Sequence, residues 1–299
     1  MSRLDQLVAR VCDRDAGALA RAISLVESSA ELATRLQECV NDYIGHASLV
    51  GVTGVPGVGK STLINCLIAA LRERQKRVAV VAVDPSSPIS GGAVLGDRVR
   101  MIGFDEDPDV FIRSIATRGH LGGLSVDILT VIDLIDAAGW DVVLLETVGT
   151  GQSETEVSEI ADVSVVVNAP GLGDDIQAIK AGILETADVL VINKADTPLA
   201  AQTARQLNAM LQLRDPEEQQ VPVVKTVATE SAGIDELVDA IGTCLCAKSR
   251  HENKDKREFR SRLLLANELA SRVRSLVMAG ADSNELKTLV GRMLGDSDD

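Results

Sequence analysis

Apolar positions follow one period at the two ends of the chain and another in its middle. Up to about residue 44 they recur at spacings of three and four: Leu4, Leu7, Val8, Val11, then Leu19, Ile23, Leu25, Val26, then Leu32, Leu36, Val40. That spacing predicts amphipathic helix throughout this stretch. From residue 48 short apolar runs take over: Leu49–Thr53, Val78–Val83, Val110–Ile115, Val142–Leu145, Val163–Val167, Val189–Ile192 and Val221–Val227. Between them lie helical patterns at about 60–74, 122–138, 174–186, 198–213 and 233–247. Wholly apolar strands alternating with helices predict an α/β fold with a mostly parallel sheet covered on both faces.

Residues 248–257, KSRHENKDKR, are charged and carry no aliphatic or aromatic side chain. They read as a solvated linker or helix surface. A last helical pattern follows, with Phe259, Leu263, Leu264, Leu269, Val273, Leu276 and Val277, then Leu286, Leu289, Val290 and Leu294. The boundaries that result are an N-terminal helical extension over 1–45, a central α/β domain over 46–248 and a C-terminal helical extension over 249–299.

The strongest chemical signal lies at the end of the first apolar run. Gly54-Val55-Pro56-Gly57-Val58-Gly59-Lys60-Ser61-Thr62 contains the G-x-x-x-x-G-K-S pattern of a P-loop, with a strand before it and a helix pattern after it. Glycines let backbone N–H groups turn toward phosphate oxygens, and the helix N-terminus adds a favourable dipole. Lys60 is placed to reach the β- and γ-phosphates, and the Ser61 hydroxyl to ligate Mg²⁺. The central domain is therefore expected to be a P-loop NTPase, a G domain.

The base is selected further along, where VLVINKAD ends a strand in Asn193-Lys194-Ala195-Asp196. A carboxylate at Asp196 accepts two hydrogen bonds from the guanine N1–H and exocyclic amine, a donor pair adenine lacks. With the P-loop, this points to GTP and GDP as ligands. A third base-site segment, ordinarily Ser-Ala, falls at Thr226-Val227-Ala228, where only the alanine is kept.

Three acids compete for the metal. Asp84 ends the run VAVVAVD, Asp97 lies in GGAVLGDRVRM, and Glu146 ends VVLLE. Strand ends on one sheet edge are where a nucleotide sits. Glu146-Thr147-Val148-Gly149 reads as a γ-phosphate-sensing switch in which Glu replaces the usual Asp. Glu146 would reach Mg²⁺ directly or through water, and the Gly149 N–H would approach the γ-phosphate. Lys60, Glu146 and Gly149 are thus the candidate catalytic residues. Gln152 is a candidate for orienting water, or a turn residue, and hydrolysis is expected to be slow until a partner accelerates it.

Composition narrows the partners. With 30 basic and 44 acidic residues the net charge is −14, which argues against nucleic acid or an anionic membrane as partner. Five aromatic residues offer no stacking platform for single strands. Five scattered cysteines and three distant histidines fit reduced thiols rather than a dedicated zinc site. There is no run of about 18 apolar residues, and the N-terminus is too charged for a signal peptide, so a cytoplasmic protein is expected.

GVTGVPGVGKST, VAVDPSSPISGGAVLGDRVRM, FIRSIATRGHLGG, ETVGTGQSE, PGLGDDIQAIKAGI and NKAD occur in this order. Over residues of about 47 to 245 the chain closely resembles the methylmalonyl-CoA mutase-associated GTPases of the MeaB/ArgK type. The resemblance implies a GTP-hydrolysing chaperone that gates cofactor loading and protection of an adenosylcobalamin-dependent acyl-CoA mutase, and a homodimer with the C-terminal extension as a candidate dimerisation arm. It also implies that Asp84, Asp97 and Glu146 line the Mg²⁺ and switch region, and that Gln177 and Lys180 lie in a further mobile segment. Two departures stand out. Val227 replaces the usual serine, and there is no Asp-x-His-x-x-Gly cobalamin motif, since Arg118 stands two places before His120. The competing readings are a metal-insertion GTPase, which asks for a Cys/His cluster, and a P-loop kinase, which does not ask for a guanine selector.

Overall fold

The computed structural model describes residues 2–84, 103–104, 106–116, 126–147, 152–171, 186–212, 220–248, 256, 258–266, 269–270, 273 and 277. The N-terminal stretch is three helices rather than one: α1 (Arg3–Cys12), α2 (Ala16–Ser28) and α3 (Ala30–Val40). Capping side chains make the breaks. Ser2 and Asp5 form a reciprocal capping box on α1, the Asp15 carboxylate accepts from the Ala18 N–H at 2.9 Å, and Ser29 Oγ accepts from the Leu32 N–H at 3.4 Å. The predicted apolar stripe is kept across all three, with Val11, Leu19, Ile23, Leu36 and Val40 fully buried.

The central domain is the expected parallel sheet. Its strands are β1 (Ser48–Thr53), β2 (Val78–Asp84), β3 (Val110–Ala116), β4 (Val142–Thr147), β5 (Val163–Asn168), β6 (Val189–Ile192) and β7 (Val223–Lys225). They lie in the order β3-β2-β4-β1-β5-β6-β7, and every pairing is parallel. The helices between them are α4 (Lys60–Glu73), α5 (Val126–Ala137), α6 (Gln152–Ile160), α7 (Ala200–Leu211) and α8 (Ile234–Ala247). Two differences from the sequence reading have physical causes. α6 is absent from the predicted helices because QSETEVSEI offers only Val157 and Ile160 as apolar positions. The run Val221–Val227 shortens to three residues: Pro222 has no N–H to give a ladder, and past Thr226 the chain turns away from β6, with Val227 bridging Ala232 instead. The helix expected at 174–186 falls almost wholly outside the described residues.

The inner strands β1, β2, β4, β5 and β6 are buried on both faces, which is why they read as continuous apolar runs. One layer joins α1, α2, α3, α5 and α6 to the sheet through residues such as Leu49, Val81, Val143 and Val157. The opposite layer joins α4 and α8 through Val50, Val52, Leu63, Leu67, Val165 and Leu237. α7 covers β6 with Leu190, Ile192 and Leu207. The N-terminal helices therefore share a core with the sheet. Asp136 of α5 fixes the connection, accepting from the backbone N–H groups of Gly45, His46 and Ala47 at 2.6, 3.0 and 2.8 Å.

After α8 the chain is helical at 258–266. The charged stretch before it is not simply solvated: Lys248 Nζ donates to Asp162 O and to Asp188 Oδ2, both at 2.7 Å. Its partners lie 86 and 60 residues away in sequence, so composition alone could not show them.

Candidate functional site

The last residues of β4 and the residues following β1, β6 and β7 meet at one edge of the sheet, around the N-terminus of α4. β1 lies between β4 and β5, so the loop after it leaves from the middle of that edge. The loop turns back closely on its neighbours, and this requires its glycines. A Cβ at Gly54 would lie 2.2 Å from the Val167 carbonyl oxygen of β5, with φ at +143°. A Cβ at Gly59, the residue that opens α4 with φ +95°, would lie 2.5 Å from Asn193 Nδ2. Any side chain here would push the loop off its two flanking strands.

Within the loop Lys60 is buried and bends back, its Nζ donating to Gly54 O at 2.6 Å and Val55 O at 3.2 Å. Val58 is buried as the loop's apolar anchor, whereas Pro56, Gly57 and Thr62 are exposed. Ser61 Oγ donates to Glu146 Oε1 at 2.8 Å. Glu146 is only 7% exposed, and its register partners Val52 and Ala82 put it on the α4 face of the sheet. One residue on, Thr147 points to the other face and donates to Thr53 Oγ1 at 3.2 Å. Thus the residue that replaces the usual switch aspartate touches the P-loop hydroxyl. The pair presents the oxygen donors that a hard divalent cation takes, so these residues fit Mg²⁺.

The base-site residues are tied to the same loop. The Asn193 side chain is buried and bonded at both ends. Its Nδ2 donates to Val58 O at 2.8 Å, and its Oδ1 accepts from Thr226 Oγ1 and from the Ala228 N–H, each at 3.1 Å. One amide thereby joins three loops. Lys194, with φ +56°, extends over the P-loop and donates to Gly57 O at 2.8 Å. Asp196 is exposed at the rim, and Val227 is half-buried beside the buried Ala228. The backbone closes the arrangement: the Ala195 N–H donates to Thr226 O at 3.0 Å.

The structure therefore brings together the P-loop, Glu146, Asn193, Lys194 and the Thr226–Ala228 segment. Asp84 is the last residue of β2, two strands from β1 on the same edge. Gln152 opens α6. Asp97, Gly149, Gln177 and Lys180 lie outside the described residues. One contributor, Cys66, was not singled out from sequence, and the part played by the Thr226 side chain was not foreseen. The Thr226 hydroxyl holds Asn193, a role its place just after the last strand could have signalled. Cys66 of α4 donates its Sγ–H to Ala228 O at 3.0 Å, and no motif marks it.

Comparisons with known proteins agree with this geometry. The model of the family described as methylmalonyl Co-A mutase-associated GTPase MeaB matches residues 19–282. GTPase ArgK of Escherichia coli is 41% identical over 259 residues, covering 83% of this chain and 78% of that one. A mouse mitochondrial protein named methylmalonic aciduria type A homolog is 37% identical over 288 residues, covering 90% of this chain and 66% of that one. Among solved structures, the crystal structure of a LAO/AO transport system kinase aligns with a TM-score of 0.70 at 29% identity, covering 98% of this chain and 99% of that one. With its P-loop GTPase fold and a match to the family model over residues 19–282, the chain belongs to the methylmalonyl-CoA mutase-associated GTPase family.

Proposed function

We propose that this GTPase gates cofactor loading into an adenosylcobalamin-dependent acyl-CoA mutase of the methylmalonyl-CoA mutase type, and protects it. The family match over residues 19–282 carries this reading. In it, Gly54 to Thr62 cradle the phosphates. Lys60 exchanges its bonds to Gly54 O and Val55 O for the β- and γ-phosphate oxygens. Asn193, Lys194 and Asp196 hold guanine, with Val227 and Ala228 closing that side. Ser61 and Glu146 would hold Mg²⁺, with Asp84 and Asp97 as the further acids, and the bound ion would offset phosphate charge. Glu146 then connects the ion to β4, and the Gly149 N–H meets the γ-phosphate. Intrinsic turnover is slow and the mutase accelerates it. The protein works in the cytoplasm as a homodimer, with residues 249–299 as its dimerisation arm. No described helix is long and apolar enough to cross a membrane.

The test is GTP turnover by the purified protein, alone and with an adenosylcobalamin-dependent acyl-CoA mutase from the same genome. The expected result is a clear rate increase that disappears in Lys60→Ala and in Glu146→Ala. Ordinary GTP turnover that no such mutase changes would overturn the proposed partner and leave the GTPase in place. A kinase reading draws on the likeness to the 29% identical LAO/AO transport system kinase. It requires phosphoryl transfer to an acceptor other than water, which the same assay detects as GTP consumed without free phosphate.

A further inference from the structure

The loops that follow β6 and β7 are joined through their main chains. The Thr226 N–H donates to Ile192 O at 2.9 Å, and the Ala195 N–H donates to Thr226 O at 3.0 Å. This ladder sets the next residue of each loop, Asp196 and Val227, side by side. Away from Asp196, Val227 is bridged to Ala232: its N–H donates to Ala232 O at 3.0 Å, and its carbonyl accepts from the Ala232 N–H at 3.2 Å. The turn closes on Gly233, where a Cβ would lie 2.0 Å from Lys225 O. Ala228 is held at both ends, its N–H by Asn193 Oδ1 at 3.1 Å and its carbonyl by Cys66 Sγ at 3.0 Å. The main chain of residues 226–228 is thus fixed by the protein itself, with its polar groups in use.

Asp196 stands in contrast. Its side chain is exposed, and among the described residues its carboxylate has no hydrogen-bond or ion-pair partner. The hydroxyls of Thr197 and Thr226 are turned elsewhere: Thr197 Oγ1 donates to Lys194 O and Thr226 Oγ1 to Asn193 Oδ1, each at 3.1 Å. Lys194 Nζ is committed to Gly57 O at 2.8 Å. The residue set beside the carboxylate is the half-buried Val227, whose side chain has no donor. A carboxylate held by nothing keeps its rotamers, and a ligand that uses it has to fix them. Ordering one such side chain lowers affinity by about three- to tenfold.

We propose that Val227 is a specificity-determining residue of the base site: its apolar side chain leaves Asp196 unheld, which lowers both the retention of guanine nucleotide and the preference for guanine over related bases. The inference rests on the reading of Asp196 as the guanine acceptor. A hydroxyl at position 227 would donate to the carboxylate and hold it ready for the base. Guanine, which offers both N1–H and an exocyclic amine, gains more from a held carboxylate than hypoxanthine, which offers N1–H alone. Because the main chain on either side is pinned, a substitution at 227 changes the group beside Asp196 without moving the loop.

Val227→Thr exchanges one methyl for a hydroxyl at nearly constant shape, so it isolates the missing donor. GDP and inosine diphosphate are titrated into the full chain with Mg²⁺, and their release rates are followed by chase. Val227→Thr should bind GDP about three- to tenfold more tightly, mostly through slower release, and raise the ratio of GDP to inosine diphosphate affinity. Val227→Ala, which removes bulk and adds no donor, should do neither. In an Asp196→Ala background the gain from Val227→Thr should vanish. If Asp196→Ala itself leaves GDP affinity unchanged, the base-site reading fails and the proposal with it. If Asp196→Ala weakens GDP but Val227→Thr changes neither affinity nor ratio, the base site stands and the proposal is overturned. A gain that persists without Asp196, or that Val227→Ala matches, also overturns it, because the hydroxyl is then not acting on the carboxylate.

Discussion

Removing the Asn193 amide is the sharpest test of how the site is assembled. In Asn193→Ala, Val58 O loses a donor, and Thr226 Oγ1 and the Ala228 N–H lose a shared acceptor. The amide is 2% exposed, so solvent does not readily replace it. A net hydrogen bond is worth about 1 kcal/mol, and a buried group left unsatisfied costs about 1–3 kcal/mol. The Thr226 hydroxyl can rotate to another acceptor, so the severe losses are those at Val58 O and the Ala228 N–H. Together they come to roughly 2–6 kcal/mol, or about 30-fold to 20,000-fold in an equilibrium constant. Part of this should appear as a lower unfolding midpoint without ligand and the rest as weaker GTP binding, because the three joined loops are the proposed base and phosphate sites. Asn193→Asp separates the contributions. It keeps an acceptor for Thr226 and Ala228 but faces Val58 O with a second oxygen, so it should retain the link to the last loop and lose the link to the P-loop. Fluorescent-nucleotide titration and thermal unfolding with and without GTP measure both parts. If Asn193→Ala changes neither binding nor midpoint by the equivalent of about 1 kcal/mol, the three-loop bridge carries no such weight and the reasoning is wrong.

Two further perturbations probe other parts of the molecule. Asn168, at the end of β5, is 3% exposed, and neither of its amide atoms has a hydrogen-bond partner; Asn168→Leu should raise the ligand-free unfolding free energy by about 1–2 kcal/mol, and a lower urea midpoint would contradict this. Lys256 is held down at about 8 from 10.5, chiefly by burial, with Lys248 next and Asp188 and Asp162 opposing. Between those two values the unfolded lysine keeps its proton while the docked one gives it up, so stability should rise with pH across the window; below it the docked ammonium carries a cost of up to about 3 kcal/mol, reduced by screening. The urea midpoint of the wild type relative to Lys256→Met should therefore increase from about pH 7.5 to 10, and a flat difference would refute the assignment.

What could be read from sequence depended on how local the determining forces are. The strands were legible because burial on both faces makes each one an unbroken apolar run, as in Val163–Val167. The P-loop was legible because close approach forces glycine at Gly54 and Gly59, whatever else the chain contains. The breaks at Asp15 and Ser29 were less so: a capping side chain interrupts a helix without interrupting its apolar stripe, and the stripe was what the spacing followed. α6 escaped notice for the opposite reason. It has a short apolar seam, and its seat on β1 depends on the absent side chain of Gly51, about a hundred residues earlier.

The same distinction separates the parts of the site from their assembly. Gly59, Asn193 and Thr226 each belong to a recognisable local pattern, but no pattern states that one amide must satisfy all three loops. That follows only when parallel pairing puts the ends of β1 and β6 on one edge and brings the segment after β7 beside them. Charge shows the point in reverse. KSRHENKDKR resembles solvated chain because its partners, Asp162 and Asp188, are spread among apolar strands where a single acid looks incidental. Lys248 pairs with the Asp188 carboxylate and donates to the Asp162 carbonyl, Arg260 faces the Asp162 carboxylate, and Lys256 donates to carbonyls at the end of α6. The residues with the least specific sequence signal therefore hold the end of the chain after α8 against the sheet, since each owes its role to a partner supplied from elsewhere in the chain.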